Sequence, residues 1–388
     1  MKDYSYLQQK WVANTYPNRN IVLEKGKGLY LFDQNGKKYI DCMSNYGVNI
    51  FGYGYLPINK AISSQLSKLI TLHGSFVNKE RAEASQMIVE RCGPSYAQVY
   101  WSNSGAEAIE AALKFAVLTT EKNKFIAFSH AYHGKTLGAL SATDGDKYKK
   151  AFFPLLWDFV HIKYDDITAV ENAIDEKTAG VIIEPIQGEG GLTPPKKGYL
   201  KKVQQLCNKH NILLILDEIQ SGTGRTGYFL SSHEDKVEAD VVCLGKGLAG
   251  GIPVGATIFT QAVANKIPKN IHTSTFGGNP LACAGVIATL QHLNQPMLDN
   301  VRKMGRYFMS QLQKIKSSLI VEVRGKGLMI GVEVKDKRNE ILKKMQEEGV
   351  LVIPAGENVV RFLPPYIITK EQVDRVFKIF KKVIDDLT

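Results

Sequence analysis

The chain of 388 residues is long enough for two or three domains with well-buried cores, and its 44% hydrophobic and 22% charged residues exclude disordered, fibrous and disulfide-scaffold classes. Lys+Arg 49 against Asp+Glu 38 leave a net charge of +11, which suits acidic ligands or partners. Basic runs are short, as in Lys196-Lys197 and Lys201-Lys202, and no nucleic-acid module pattern is present, so no nucleic-acid partner is expected.

In chain order, Met1-Lys2-Asp3-Tyr4 opens without a charged-then-apolar signal pattern, and no apolar run reaches membrane-spanning length. The expectation is a cytoplasmic protein with no membrane contact. Residues 20 to 46 alternate in period two around Asn35-Gly36 and predict a small antiparallel hairpin. From 104 to 262, helical patterns alternate with apolar runs at Phe125–Phe128, Gly180–Ile183, Ile212–Leu216 and Val241–Leu244, which predict a parallel sheet covered on both faces. A helical stretch from about 279 to 318 breaks near Pro296. Alternating strands follow at 321–323 and 329–334, then a helix over 337–349, strands at 350–353 and 358–363, and a closing helix. The expected fold is α/β, a large doubly wound mostly parallel sheet domain plus a small α+β domain built from both chain termini. Its boundaries are read as 1–46, 47–285 and 286–388. Cys42, Cys92, Cys207, Cys243 and Cys283 form no C-x-x-C pair, so they are read as buried reduced thiols and no metal site is expected.

Several motifs fail on context. Gly222-Thr223-Gly224-Arg225-Thr226-Gly227 spells G-x-G-x-x-G but does not directly follow a strand, and Gly134-Lys135-Thr136 lacks the upstream glycine of a P-loop. Neither G-x-S-x-G nor H-E-x-x-H occurs. Gly-Lys-Gly-Leu occurs at 26–29, 245–248 and 325–328; the copies with Lys27 and Lys326 sit between small-domain strands and read as turns with solvated amines. Lys246 instead follows an apolar strand and enters a glycine-rich segment, at the strand end where open α/β sheets bind ligands. Asp217 closes another strand. The bland reading of Lys246 and Asp217 is an ion pair; the sharper one is a pyridoxal phosphate site, which needs a lysine to anchor the cofactor and an acid to keep its pyridine nitrogen protonated. Ser102-Asn103-Ser104-Gly105-Ala106-Glu107-Ala108, running from the strand Val99–Trp101 into a helix over 106–118, offers a phosphate cradle. Tyr132, two residues after a strand-end His130, offers a flat cover for a ring.

These segments, with Tyr132-His133-Gly134-Lys135-Thr136, Ile183-Glu184-Pro185-Ile186-Gln187-Gly188-Glu189, Leu216–Gly227 and Thr273-Ser274-Thr275-Phe276-Gly277-Gly278-Asn279-Pro280, resemble the class III aminotransferases of fold type I over nearly the whole chain. The resemblance implies that Lys246 anchors pyridoxal 5'-phosphate, Asp217 pairs with its ring nitrogen and Gln220 touches its ring hydroxyl. Ser104, Gly105 and Ala106 would hold the phosphate and Tyr132 would stack on the ring, with His133 and Glu184 also in the cofactor set. Thr275 would reach the phosphate of a partner subunit, making a homodimer necessary. Glu189 and Arg361 look like the family's switchable pair: the arginine is held by the glutamate with an ω-amine bound, and clasps the α-carboxylate when glutamate or 2-oxoglutarate binds. Within the class the chain resembles acetylornithine aminotransferases and their archaeal relatives that act on substrates tethered to an acidic amino-group carrier protein in arginine and lysine synthesis. Tyr16 and Tyr46 pull toward ornithine aminotransferase, and Lys135 stands where an arginine for the substrate α-carboxylate is usual. The rivals are an ornithine or 4-aminobutyrate aminotransferase, a non-transaminating fold type I enzyme, and a binding protein with a dead site.

Overall fold

The computed structural model describes residues 3–388; Met1 and Lys2, the start of the run read for a targeting signal, lie outside the described residues. After an N-terminal helix, Tyr4–Trp11, strands β1 (Leu23–Lys27), β2 (Tyr30–Asp33) and β3 (Lys38–Asp41) form an antiparallel meander rather than a single hairpin. The Asn35-Gly36 turn is closed by the Asp33 carboxylate, which accepts from the backbone N–H groups of Asn35 and Lys37 at 2.9 Å each.

The large sheet comprises β4 (Tyr96–Ser102), β5 (Lys124–Phe128), β6 (Asp158–Ile162), β7 (Thr178–Ile183), β8 (Leu213–Asp217), β9 (Val241–Leu244) and β10 (Gly255–Thr260). Their order is β4-β10-β9-β8-β7-β5-β6, with only β10 running against the others. β5, β7 and β9 are buried along their whole length, as the apolar runs require. Two strands escaped the periodicity argument. β6 is a half-exposed edge strand with Asp158 and His161 in it, and β10 opens with small residues. Gly255 must be small, because a Cβ there would lie 2.1 Å from the Ser104 carbonyl oxygen. Likewise His130 is no strand end: β5 stops at Phe128 and His130 sits in a turn with φ +66°.

Helix Gly105–Thr120 covers one face through Ala108, Ala111, Ala112, Phe115 and Ala116, and the Thr257 hydroxyl donates to the Ala108 carbonyl at 2.8 Å. The opposite core holds helices Leu56–Leu66, Lys79–Cys92, Tyr199–His210 and Pro280–His292. Pro280–His292 presses directly on the Lys246 segment, where a Cβ on Gly285 would meet the Ala249 carbonyl oxygen at 2.7 Å. The expected domain boundary at 285/286 falls inside this helix. The break near Pro296 is at Leu293–Asn294, where Asn294 caps the next helix, Gln295–Leu312. All five cysteines are free and buried.

The C-terminal strands are β11 (Ile320–Lys326), β12 (Met329–Val334), β13 (Val350–Leu351), β14 (Ile353–Ala355) and β15 (Val359–Phe362). The single strand expected at 350–353 is two strands: β13 pairs parallel with β3, and the chain then crosses into the sheet β11-β12-β15-β14. Helix Lys370–Asp385, started by a Thr369/Gln372 capping box, buries Val373, Val376, Phe380, Val383 and Ile384 at helical spacing. The result is α/β, a large mostly parallel sheet domain and a small α+β domain drawn from both termini. Among the described residues no helix is long and apolar enough to cross a membrane.

Candidate active site

Five of the six parallel strands deliver their carboxyl ends to one place. β8 ends on Asp217, whose Oδ1 accepts from the Ile219 N–H at 3.0 Å and whose Oδ2 lies 2.7 Å from His133 Nδ1. Both side chains are buried, and the second ring nitrogen of His133, Nε2, has no partner. The ring therefore serves the carboxylate, and together with the Ile219 N–H it fixes the orientation of Asp217. His133 is itself held by Thr143, whose Oγ accepts from the His133 and Gly134 N–H groups at 2.9 and 3.3 Å.

Beyond β7, Glu184 is buried and ties two loops together, accepting from the N–H of Tyr132 and of Gly188 at 2.9 Å each. Burial pushes its carboxyl up to about 7, against the pull of His133. Tyr132 is thereby fixed after β5, with its ring edge-on to Tyr148 at 5.6 Å. Burial, followed by the Glu189 charge, pushes the Tyr132 phenol up to about 12.

Lys246 follows β9 in a left-handed conformation, φ +46°, and opens the short helix Lys246–Ala249. For a lysine this backbone costs roughly 1–2 kcal/mol, a cost retained where the surrounding structure over-determines it. Burial lowers the amine's pKa; Glu189 and Asp217 oppose that shift and Arg361 adds to it. The amine thus sits within the field of both ends of the site.

After β4, Ser104 caps helix Gly105–Thr120, accepting from the Glu107 N–H at 3.2 Å. Neighbouring segments approach this helix start closely: a Cβ on Gly105 would meet Ile219 at 2.9 Å, and one on Gly134 would meet Ala106 at 2.9 Å.

The far end of the site is built by the small domain. Arg361 lies in the middle of β15 and is 0% exposed, so it is no surface-strand arginine. Its Nη2 donates to Glu189 Oε1 at 2.7 Å and to the Pro354 carbonyl at 2.9 Å, while Nη1 donates to Gln220 Oε1 at 3.0 Å. The guanidinium lies 5.5 Å from the Tyr46 ring centroid. Gln220, spending its oxygen on Arg361, keeps its amide N–H groups for another acceptor.

Tyr16, Lys135 and Thr275 are exposed at the rim, and among the described residues none of their side chains is hydrogen-bonded or ion-paired to the buried set. Ser274, next to Thr275, accepts from Asn103 Nδ2 at 3.3 Å, which puts the 273–280 loop beside the cradle of its own chain. Of the other two Gly-Lys-Gly-Leu copies, Lys27 is exposed, but Lys326 is not a solvated turn amine: it lies at the end of β11, half-buried, in an ion pair with Glu234. Sequence reasoning missed Thr143, Ile219 and Glu110, whose carboxylate accepts from the Gly138 and Ala139 N–H groups at 2.8 and 3.0 Å. Ile219 stood beside Asp217 as a clue; Thr143 and Glu110 act on backbone 9–10 and 28–29 residues away, at spacings no motif marked.

The family model described as aminotransferase class-III matches residues 11–384. The chain belongs to the class III aminotransferases. It is 40% identical to the acetylornithine aminotransferase of Methanosarcina mazei, over 96% of this chain and 94% of that protein. It is 41% identical to a Pyrococcus furiosus protein provisionally named LysW-aminoadipate semialdehyde/glutamate semialdehyde transaminase, over 95% and 97%. Among solved structures, the ornithine aminotransferase of Toxoplasma gondii superposes with a TM-score of 0.95 at 34% identity, covering 99% of this chain and 94% of that one. The acetylornithine aminotransferase of Elizabethkingia anophelis gives 0.88 at 33% identity, over 99% and 98%.

Class III aminotransferases of fold type I use pyridoxal 5'-phosphate, and this enzyme is a pyridoxal-phosphate-dependent aminotransferase. The strand-end pocket fits that group on its own geometry. It offers an amine of lowered pKa at Lys246, a fixed carboxylate at Asp217, and a helix start kept clear by two glycines that a Cβ would fill.

Proposed function

We propose that this aminotransferase moves an amino group between glutamate/2-oxoglutarate and the terminal amine or semialdehyde of an acetylated or carrier-linked ornithine or lysine precursor. The observation that carries the reading is the contact of Arg361 with Glu189 and Gln220, which joins a reversible anion clasp to the cofactor end of the site. Bound pyridoxal phosphate supplies an electron sink that stabilises the carbanion at the amine-bearing carbon. Lys246 would anchor it and, as a free amine, would carry the substrate proton; burial favours its uncharged form. Asp217, oriented by His133, holds the proton on the ring nitrogen. Gln220, its oxygen held by Arg361, would donate its amide N–H to the ring hydroxyl. Ser104 and the N–H groups of Gly105 and Ala106 take the phosphate, joined by Thr275 from a partner subunit in a homodimer. Tyr132, held by Glu184, covers the ring.

For an ω-amine, Glu189 keeps Arg361 neutralised, and Tyr16, Tyr46 and Lys135 receive the distal groups. For glutamate or 2-oxoglutarate, Glu189 releases Arg361, whose planar fork then clasps the α-carboxylate. The acetylornithine aminotransferase names among the relatives support the acetylated substrate, and the Pyrococcus furiosus name together with the +11 charge supports the carrier-linked one. Half-reaction spectra with acetylornithine, ornithine, 4-aminobutyrate and carrier-linked amines test the proposal. An acetylated or carrier-linked amine should convert the cofactor fastest, and 2-oxoglutarate alone should restore it. If the carrier is the partner, kcat/KM for the linked amine should fall steeply with salt. Preference for free ornithine, or failure of 2-oxoglutarate to restore the spectrum, would contradict it.

A further inference from the structure

Arg225 is a second buried arginine in this molecule, 1% exposed, and the chemistry above does not use it. It sits in the glycine loop Gly222–Gly227, directly after Gln220 and Ser221. No carboxylate pairs with it among the described residues. Its partners are backbone carbonyl oxygens from three distant segments: Pro364 at 2.7 Å and Leu328 at 3.2 Å through Nη1, and Gly47 at 3.5 Å through Nη2. Its guanidinium also lies 4.7 Å from the Tyr366 ring centroid, and the Tyr366 hydroxyl donates to the Thr223 carbonyl at 2.9 Å. A buried charge without a counter-ion is retained only when several acceptors converge on it. The acceptors are divided between Nη1 and Nη2, a spread that a planar fork matches and a single ammonium nitrogen does not.

Those acceptors sit beside the substrate end of the site. Pro364 follows the Arg361 strand, and Gly47 follows Tyr46. The Tyr46 turn is strained: Ser44, Asn45 and Tyr46 are consecutive left-handed residues, with φ +47°, +49° and +56°, before Gly47 at +90°. Asp41 holds its start, accepting from the Met43 and Ser44 N–H groups at 2.8 and 3.0 Å. Its end meets Arg225. Backbone bonds tie the same pieces to one another, from the Leu363 N–H to the Cys42 carbonyl and from the Tyr366 N–H to the Ile50 carbonyl, at 2.7 Å each.

We infer that Arg225 is a positioning residue that sets substrate recognition: by gathering the carbonyls of Gly47, Leu328 and Pro364 onto the Gln220 loop, it fixes Tyr46 and Arg361 relative to Gln220. This rests on the proposed roles of Tyr46 and Arg361 in binding substrate. The lysine variant keeps the charge but carries all its donors on one nitrogen and cannot span acceptors met by two separate guanidinium nitrogens, and Gly47→Ala disturbs the turn from its other end. Gly47 has room for a methyl, with nearest contacts of 3.7 and 3.8 Å, but its φ of +90° strains alanine.

The test uses Arg225→Lys, Gly47→Ala and Arg361→Gln holoenzymes, each assayed in both half-reactions with cofactor occupancy read from absorbance. In Arg225→Lys and Gly47→Ala, cofactor occupancy is expected to stay near wild type. KM should rise tenfold or more for 2-oxoglutarate and for the amine, with a smaller change in the single-turnover rate at saturation. Gly47→Ala keeps the inference testable if Arg225→Lys fails to fold. Unchanged KM values in both variants, or loss of stability alone, would overturn the inference while Arg361→Gln still shows its 2-oxoglutarate defect. An Arg361→Gln enzyme with normal 2-oxoglutarate kinetics would instead overturn the underlying reading of the site.

Discussion

The two ends of the active site are built on different principles. At the strand ends Asp217, His133 and Glu184 are buried, His133 fixing Asp217 at 2.7 Å and Glu184 fixing the Tyr132 and Gly188 backbone at 2.9 Å each. At the small-domain end Arg361 is buried but its partners Glu189, Gln220 and Pro354 are only half-buried, and Tyr46 is 41% and Tyr16 79% exposed. Chemistry that must not vary has been put on strand ends. Of the groups proposed to accept two different substrates, Arg361 is held in a strand, while Glu189, Tyr46 and Tyr16 stand on turns and loops.

Breaking the rigid end should cost most. Lys246→Ala should fold and lose roughly 10²–10⁴-fold or more in kcat, the range general acid–base groups supply. A variant with near-normal single-turnover rates would remove Lys246 from the proton transfer. Asp217→Ala should retain the fold but lose most activity, and it also leaves both His133 ring nitrogens unpartnered, at about 1–3 kcal/mol of stability. Retained turnover would refute the assigned role.

At the adaptable end the effects should be selective. Arg361→Gln should lower kcat/KM for 2-oxoglutarate about tenfold to a hundredfold, the worth of a charge-assisted pair, and lower that for the ω-amine less. Equal losses for both substrates would argue against a switchable pair.

Glu184 gives a pH test of the rigid end. Its folded-state pKa is raised from 4.5 toward about 7 by burial, so the group's contribution is fully present below 4.5 and is lost as pH rises toward 7. The Tm of the wild-type apoprotein, measured against that of Glu184→Gln, should therefore fall between pH 4.5 and 7. Parallel curves would dismiss that account of the carboxyl. The smallest effect is expected at exposed Lys135: Lys135→Arg should leave activity equal or better, and Lys135→Ala should weaken the amine more than 2-oxoglutarate. A silent Lys135→Ala would move the α-carboxylate contact elsewhere, with Tyr16 the next candidate.

The same contrast decides what was legible in the sequence. Lys246, Asp217 and the Ser104 cradle follow apolar strands, so periodicity alone placed them at strand ends, where ligands bind. β6 and β10 lacked that signal because one is an edge and the other begins with residues kept small by the Ser104 backbone. The partners of Arg361 could not be read from spacing, because 172 and 141 residues separate it from Glu189 and Gln220. Lys326 looked like Lys27 because the sequence does not show that Glu234 folds against it.

The central claim is that one lysine, chosen from three identical tetrapeptides by its strand-end position, is the cofactor's anchor. Borohydride reduction of the coloured holoenzyme followed by peptide mass mapping tests it directly. The pyridoxyl mass should appear on the peptide containing Lys246 and on neither Lys27 nor Lys326; a label on either of those two, or none at Lys246, would contradict the account.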